Sequence, residues 1–426
     1  MEQTITNIFC MKRVVVFLLG GLTVGGLRAQ DAASMKQFMD MRFGMFVHFG
    51  TISLRGTEIS WSRNREVSEA DYDSLYKEWD PVLFNADAWV RTAKEAGMKY
   101  LTITAKHHDG FCNWPTAVSG YSVSHTAFRR DIVGELAAAC RRQGIVFCVY
   151  FTVLDWHDPN WPTSSPYDST KDRHGKGDMV KFVQTMKAEL KEIVTKYKPF
   201  MLWFDGHWES SWTVDNGKDI YTFLKKLDPK LIVNNRLGKD GSSLSSPQSV
   251  GDFLTPEQTI GQLDTVNAWE SCLTICTQWS WKPNDTMKSL KECIQSLVRS
   301  AGGNGNLLLN VGPMMDGRIE ARQAARLREM GVWMRKYGES IYGTKGGPFP
   351  ATEHYAMTRK GKVVYMHVFD RQDGVVRLPA FYAKVLRARW MGGGDVELRQ
   401  QADGVELVMP AKLPDENCSV IILEQE

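Results

Sequence analysis

Asp205 closes the apolar run of "PFMLWFDGHWES" (199–210) and is followed at once by a glycine. A carboxylate at the end of a buried strand can be a nucleophile, a base, a metal ligand or merely the cap of the next helix. Covalent cleavage of a glycosidic bond needs a second carboxyl group about 5 Å away, acting first as acid and then as base. The acids next downstream are Asp252 and Glu257 in "GDFLTPEQTIGQLD" and Glu270 in "NAWESC". A second group lies in "TAKHHDGF", where His107 and His108 precede Asp109. Neighbours on a strand face opposite ways, so both imidazoles reach one ligand only where the strand is ending. Two chemistries stay open there: metal ligation together with Asp205, although no HxH or HExxH spacing supports it, and hydrogen bonding to a polyhydroxyl ligand. His48 in "VHFG" has the same strand-end placement and favours the second.

Fourteen tryptophans is a high number for 426 residues. Trp61, Trp114, Trp156, Trp203, Trp208, Trp279 and Trp281 fall in or beside expected loops. Indoles offer apolar plates on which the C–H faces of sugar rings stack, though most tryptophans of a folded chain are core. Gly302-Gly303-Asn304-Gly305 only superficially resembles a phosphate loop, because it precedes a strand and lacks the Lys-Ser/Thr pair.

These residues need elements to hold them. "FGMFVHFG", "KYLTITAKHHDG", "IVFCVYF", "FMLWFDG", "LIVNNR" and "NLLLNVGP" are nearly continuous apolar runs, as expected of parallel strands buried on both faces. Between them lie amphipathic stretches. In 178–197, Val183, Met186, Leu190, Ile193, Val194 and Tyr197 recur at helical spacing, with Asp178 as N-cap and Pro199 as the stop. "RRDIVGELAAACRRQG" and "IEARQAARLREMGVWMRKYG" behave alike, each ending on glycine. The alternation predicts an α/β fold, either a (β/α)8 (TIM) barrel or a doubly wound sheet. His48, His107, His108, Asp205 and Arg236 stand at the C-terminal ends of different strands, which favours the barrel. After "KGGPFP" (345–350) short strand signals follow one another without helices: "KVVYMHVFD", "GVVRLPA", "KVLRARW", "DVELRQ", "GVELVMP" and "SVIILE". The expected organisation is a catalytic barrel over 30–345 and a small antiparallel β-sandwich over 346–426.

Charge and targeting narrow the classes further. The net charge of +3 carries no footprint for nucleic acid or an anionic membrane. "MKRVVVFLLGGLTVGGLRAQ" has the cations, apolar run and small-residue end of a secretory signal, so residues 1–29 are expected to be a signal peptide. Met11 is an alternative start, and an N-terminal membrane anchor is the rival reading, weakened by the glycines and shortness of the run. The expected product is periplasmic or secreted, with no membrane span in the mature chain. Seven cysteines follow that segment, without metal-ligand spacing, and read as small buried hydrophobes; Cys272 and Cys276 are close enough in sequence to face each other.

Seven separated segments, in order, resemble glycoside hydrolase family 29, the α-L-fucosidases: "RFGMFVHFG", "AKEAGMKYLTITAKHHDGFCNW", "WFDG", "LIVNNRLG", "DFLTPEQ", "WESCLTI" and "GGNGNLLLNVGPMMDGRI". The resemblance spans nearly the whole barrel region. It implies a (β/α)8-like domain followed by a β-sandwich, and retaining hydrolysis of terminal α-L-fucosides on glycans or polysaccharides without a metal or other cofactor. By the same resemblance Asp205 matches the nucleophile, and His48, Trp61, His107, His108, Tyr150, Trp203 and Arg236 match residues around the fucose ring. Glu257 matches the acid/base of some members and is preferred, with Glu270 and Asp252 as alternatives. Many members carry a Glu-Trp pair where this chain reads "EISWS", with Ser60 before Trp61, so the contact made by that glutamate does not transfer. "CTQWSWKPNDTMKS" points to a particular branch, which leaves the linkage open. The rivals are a catalytically silent sugar-binding protein on the same fold and a metal-dependent hydrolase using His107, His108 and Asp205.

Overall fold

The computed structural model describes residues 32–163 and 175–426. The expected signal peptide over 1–29 lies outside the described residues. Seven strands form one parallel sheet: β1 (Phe43–Val47), β2 (Tyr100–Lys106), β3 (Val146–Thr152), β4 (Met201–Asp205), β5 (Ile232–Val233), β6 (Glu270–Thr274) and β7 (Asn306–Val311). Their order is β5-β4-β3-β2-β1-β7-β6. The gap between β5 and β6 is spanned by the segment 250–257, which makes single β-bridges to both neighbours, Asn234 to Phe253 on one side and Leu254 to Trp269 and Glu257 to Cys272 on the other. It occupies the eighth position of a (β/α)8-like barrel. Pro256 within it has no N–H to give a ladder, although its carbonyl accepts from the Cys272 N–H at 3.1 Å.

The strands alternate between two cores. Phe46, Tyr100, Cys148, Tyr150, Met201, Trp203, Ile232 and Leu308 fill the barrel, while Val47, Leu101, Val149, Leu202 and Phe204 pack outward under the helices. Both faces are therefore apolar, which explains the unbroken runs in the sequence. Gly44 is required for this packing, because a Cβ there would overlap the Tyr100 ring.

The helices are α1 (32–41), α2 (Glu69–Ser74), α3 (Ala86–Glu95), α4 (Ile132–Gln143), α5 (Met179–Tyr197), α6 (Val214–Leu227), α7 (Leu290–Gly302) and α8 (Ala321–Tyr337). Side-chain caps start most of them. Asp178 accepts from the Lys181 N–H, as expected, and Ser289 with Glu292 forms a capping box. The expected glycine stop holds for α4, where Gly144 is left-handed. It differs for α8, whose Gly338 stays right-handed at φ −61° because the chain continues into a 3-10 turn.

Beyond the barrel lie β8 (Lys345–Gly346), β9 (Tyr355–Lys360), β10 (Val363–Val368), β11 (Val375–Pro379), β12 (Val385–Trp390), β13 (Leu398–Gln400), β14 (Gly404–Val408) and β15 (Ser419–Gln425). They form antiparallel sheets of order β12-β15-β10-β9-β8 and β11-β14-β13, a sandwich. β8 and β9 carry no sequence signal of the strength seen in the other six. Along β15, Ile421 and Leu423 enter the sandwich core, whereas Val420 and Ile422 join the core under the barrel helices. The indole N–H of Trp333 on α8 seals that junction by donating to the Cys418 carbonyl at 2.9 Å. Among the described residues all seven cysteines are free and buried, and no helix is long and apolar enough to cross a membrane.

Candidate active site

A cavity of about 270 Å³ opens at the C-terminal end of the barrel strands, lined by Phe46, His48, Trp61, His107, Tyr150, Trp203, Asp205, Trp208, Glu257, Cys272 and Trp279. On β4 the alternation puts Met201, Trp203 and Asp205 inward, so the carboxylate is delivered to the cavity with Trp203 beneath it. Gly206 then turns the chain away at φ +94°, where a Cβ would sit 2.7 Å from Leu154.

Asp205 is fixed at both oxygens. Arg236 Nη1 donates to Oδ1 at 2.6 Å and the Tyr150 hydroxyl donates to Oδ2 at 3.1 Å. Burial pushes the carboxyl toward the neutral form, but Arg236 and the neighbouring His108 outweigh it and hold its pKa below the usual range. Burial opposes the charge of Arg236 as well, and the Asp205 charge outweighs that and raises it. Arg236 is aimed by Thr255, whose Oγ1 accepts from Nε at 2.9 Å and whose carbonyl accepts from Nη2 at 3.0 Å. Its guanidinium lies over the Trp203 ring, 4.7 Å from the centroid.

The same Nη1 is 2.8 Å from Glu257 Oε2. Two oxygens held at 2.6 and 2.8 Å from one nitrogen are at most 5.4 Å apart, the sum of the two distances. So close an approach of one oxygen from each group suits the roughly 5–5.5 Å carboxyl separation of double-displacement glycosidases. Glu257 is positioned by its bridge to Cys272, and its side chain stays 39% exposed at the cavity mouth.

The two alternatives for a second acid are elsewhere. Glu270 is the first residue of β6, at the opposite end of the strand, fully buried and bonded to the Tyr100 hydroxyl and the Trp203 indole N–H. Burial raises its pKa to about 8. Asp252 accepts from the Tyr221 hydroxyl at 2.6 Å and the Val233 N–H at 2.9 Å and pairs with Lys225, tying α6 to β5. The barrel's geometry brings Glu257 to Asp205 and leaves the other two in supporting contacts.

The histidines gather where β1 and β2 end. The rings of His107 and His108 are 4.2 Å apart, and His48 is 5.5 Å from His107. Their Nδ1 atoms are engaged: His48 with Asn310 Oδ1 at 2.6 Å, His107 with Ser60 Oγ at 2.6 Å, His108 with Thr152 Oγ1 at 2.7 Å. Burial lowers all three, His48 and His108 to about 4, so they are neutral imidazoles at neutral pH. Among the described residues no group of three or more His, Cys, Asp or Glu side chains is placed to hold a metal ion. Aromatic rings complete the walls. Tyr150 stacks between His107 at 5.3 Å and Trp203 at 5.6 Å, and Trp279 packs 4.8 Å from His48. At the rim Trp61 stacks on Trp208, which is 47% exposed. Glu58 braces this rim by accepting from Ile59, Trp279 and Ser280, joining the 58–61 turn to the loop that carries Trp279.

Sequence reasoning assigned no site role to Phe46 and Cys272, and raised Trp279 only as one of seven loop tryptophans able to stack on a sugar. Phe46 could have been found, since it shares a face with His48 two residues on. Asn310, a lone amide inside "NLLLNVGP", carried a similar signal. Trp279 enters from a loop 231 residues from His48, and its spacing announces nothing.

A barrel whose mouth presents two carboxylates on one arginine, neutral imidazoles and stacked indoles defines a glycoside hydrolase of the double-displacement kind. The comparisons with known proteins agree. The alpha-L-fucosidase family model matches residues 27–339. Tissue alpha-L-fucosidase of Bos taurus is 32% identical over 77% of this chain and 73% of its own, and that of Rattus norvegicus is 29% identical over 87% and 84%. Alpha-L-fucosidase isoenzyme 1 from Paenibacillus thiaminolyticus superposes with a TM-score of 0.86 at 30% identity, covering 93% of this chain and all of that one. A GH29 alpha-L-fucosidase from Bacteroides thetaiotaomicron, trapped as a covalent intermediate with 2-fluoro-fucosyl fluoride, gives 0.83 at 28% identity over 92% and 96%. The chain belongs to the alpha-L-fucosidase family.

Proposed function

We propose that the protein is a retaining exo-α-L-fucosidase, that its cavity holds one terminal α-L-fucosyl ring, and that Asp205 and Glu257 divide the chemistry. The observation that carries this reading is the shared Arg236 nitrogen, which holds one oxygen of each carboxylate within 5.4 Å of the other. A depressed pKa keeps Asp205 ionised and nucleophilic. Its oxygen attacks the anomeric carbon while the exocyclic C–O bond breaks, and Glu257 gives its proton to the departing oxygen. Water then adds to the anomeric carbon, Glu257 takes a proton from it, and the ester bond to Asp205 breaks. Two inversions restore the starting configuration. Neutral His48, His107 and His108, held by partners behind them, are preorganised hydrogen-bonding groups for the ring hydroxyls, and they strengthen as charge develops on the ring. Phe46, Cys272 and Trp279 supply an apolar wall suited to the methyl group of a 6-deoxy sugar. The Trp61–Trp208 pair at the rim suits the leaving group.

The test is hydrolysis of an aryl α-L-fucoside followed by NMR from the first turnover. The expected first product is α-L-fucose; a β-anomer first, or binding without turnover, overturns the reading. Activity is expected to survive chelation. Loss restored by a divalent ion would favour the metal-dependent alternative. The N-terminal pattern supports export to the periplasm or medium, tested by finding the mature N-terminus near Gln30 in those fractions.

A further inference from the structure

What a neutral histidine offers a sugar hydroxyl depends on which ring nitrogen holds the proton. Donor and acceptor counting behind His107 bears on this. Ser60 Oγ lies 2.6 Å from His107 Nδ1, 3.2 Å from Asp109 Oδ2 and 3.0 Å from the Asp109 backbone nitrogen. The backbone N–H can only donate. The Tyr72 hydroxyl accepts the Ser60 N–H at 2.7 Å, so its own proton goes to Asp109 Oδ2, also at 2.7 Å. Asp109 Oδ1 accepts the Phe111 N–H at 2.9 Å. Burial pushes the Asp109 pKa up, and the converging donors work against it. With a carboxylate there, the Ser60 proton points to Oδ2. In that arrangement lone pairs of Ser60 are left for His107, and Nδ1 is the donor.

We infer that Ser60, with Asp109 and Tyr72 behind it, is a positioning residue that locks His107 in the Nδ1–H tautomer, so that His107 Nε2 accepts from a donating hydroxyl of the sugar. This rests on the reading that the cavity holds a fucosyl ring. The neighbouring histidine is set the other way. His108 Nε2 is 3.6 Å from Asp205 Oδ2, which favours a proton on Nε2, and Thr152 can donate to its Nδ1 at 2.7 Å. The His-His pair thus presents one acceptor and one donor side by side. Ser60 is fully buried at φ +58°, a left-handed backbone that non-glycine residues seldom adopt, and that conformation aims its hydroxyl at His107.

The test begins with 15N-histidine labelling of the intact protein at neutral pH, with His107 assigned by the His107→Asn variant. The expected spectrum has a protonated Nδ1 and an unprotonated Nε2; the reverse overturns the proposal, whether or not the protein cleaves fucosides. The second arm uses aryl α-L-fucosides in which each ring hydroxyl in turn is replaced by fluorine, which cannot donate. At the hydroxyl facing His107, wild type is expected to lose roughly 10- to 100-fold in kcat/KM. Ser60→Ala is expected to lose only a few-fold at that position, because its tautomer is no longer set. The inductive effect of fluorine is common to both proteins and cancels in the ratio. Equal losses in a Ser60→Ala protein of native thermal stability would overturn the proposal.

Discussion

Removing Glu257 separates its chemical role from any structural one. The side chain is 39% exposed and pairs with Arg236 Nη1 at 2.8 Å, a nitrogen that Asp205 also holds at 2.6 Å. With the Glu257 end open to solvent the pair contributes about 0–1 kcal/mol, and the buried Arg236 keeps Asp205 as its partner, so Glu257→Ala is expected to unfold within about 1 kcal/mol of wild type. The rate effect is far larger. Loss of a positioned general acid slows bond cleavage by roughly 10²- to 10⁴-fold, or about 3–5 kcal/mol of barrier, where the leaving group needs a proton. A dinitrophenyl leaving group needs none. The assay compares kcat/KM, which reports bond cleavage, on a fucosylated oligosaccharide and on the dinitrophenyl fucoside. The expected pattern is the full loss on the first and less than roughly tenfold on the second. The fucosyl-enzyme then accumulates for want of a base. Azide should raise kcat on the aryl substrate and give α-fucosyl azide, since it attacks from the face that Glu257 has vacated. Equal losses on both substrates, or an unchanged enzyme, would refute the assignment of proton transfer to Glu257.

Further outcomes follow from the same geometry. Burial lowers His48 and His108 from 6.5 to about 4, so between those values the unfolded chain binds protons that the native state refuses. Stability therefore rises with pH across that window and is lost on acidifying through it, by up to about 1.4 kcal/mol per pH unit for each histidine, and urea midpoints at pH 7, 5.5 and 4.5 measure it. Midpoints that do not move would contradict the buried neutral state. Trp208→Ala, at a half-exposed rim position, should leave the melting temperature and hydrolysis of small aryl fucosides nearly unchanged while raising KM for oligosaccharides severalfold. An equal effect on both substrates would remove Trp208 from the leaving-group side.

Much of the site was legible because a barrel delivers strand-end residues to one place. His48, His107, His108, Asp205 and Arg236 could be named from apolar runs that end on polar residues, Tyr150 and Trp203 entered as site residues through the family resemblance, and all of them converge. The face shared by Trp203 and Asp205 followed from a period of two. What failed to read was the eighth barrel position. The segment 250–257 carries Pro256 and pairs with its neighbouring strands by isolated bridges, not a continuous ladder, so no periodicity marks it. Spacing alone consequently did not rank Asp252, Glu257 and Glu270, and the preference for Glu257 came from the family resemblance. Their fates depend on which way that segment runs past Arg236 and on Glu270 standing at the far end of β6. The role of Ser60 was hidden for a different reason. Its partners His107 and Asp109 lie 47 and 49 residues away, and the positive φ that aims it is a tertiary outcome, not a propensity.

The central claim is that Asp205 becomes covalently bonded to the sugar. Its most direct measurement is mass spectrometry of the protein after incubation with 2-deoxy-2-fluoro-α-L-fucosyl fluoride, in which fluorine slows both steps and fluoride departs without help. The expected result is one fluorofucosyl unit on the peptide containing Asp205, absent in Asp205→Asn. An unlabelled protein that still turns over fucosides, or a label on any other residue, would contradict it.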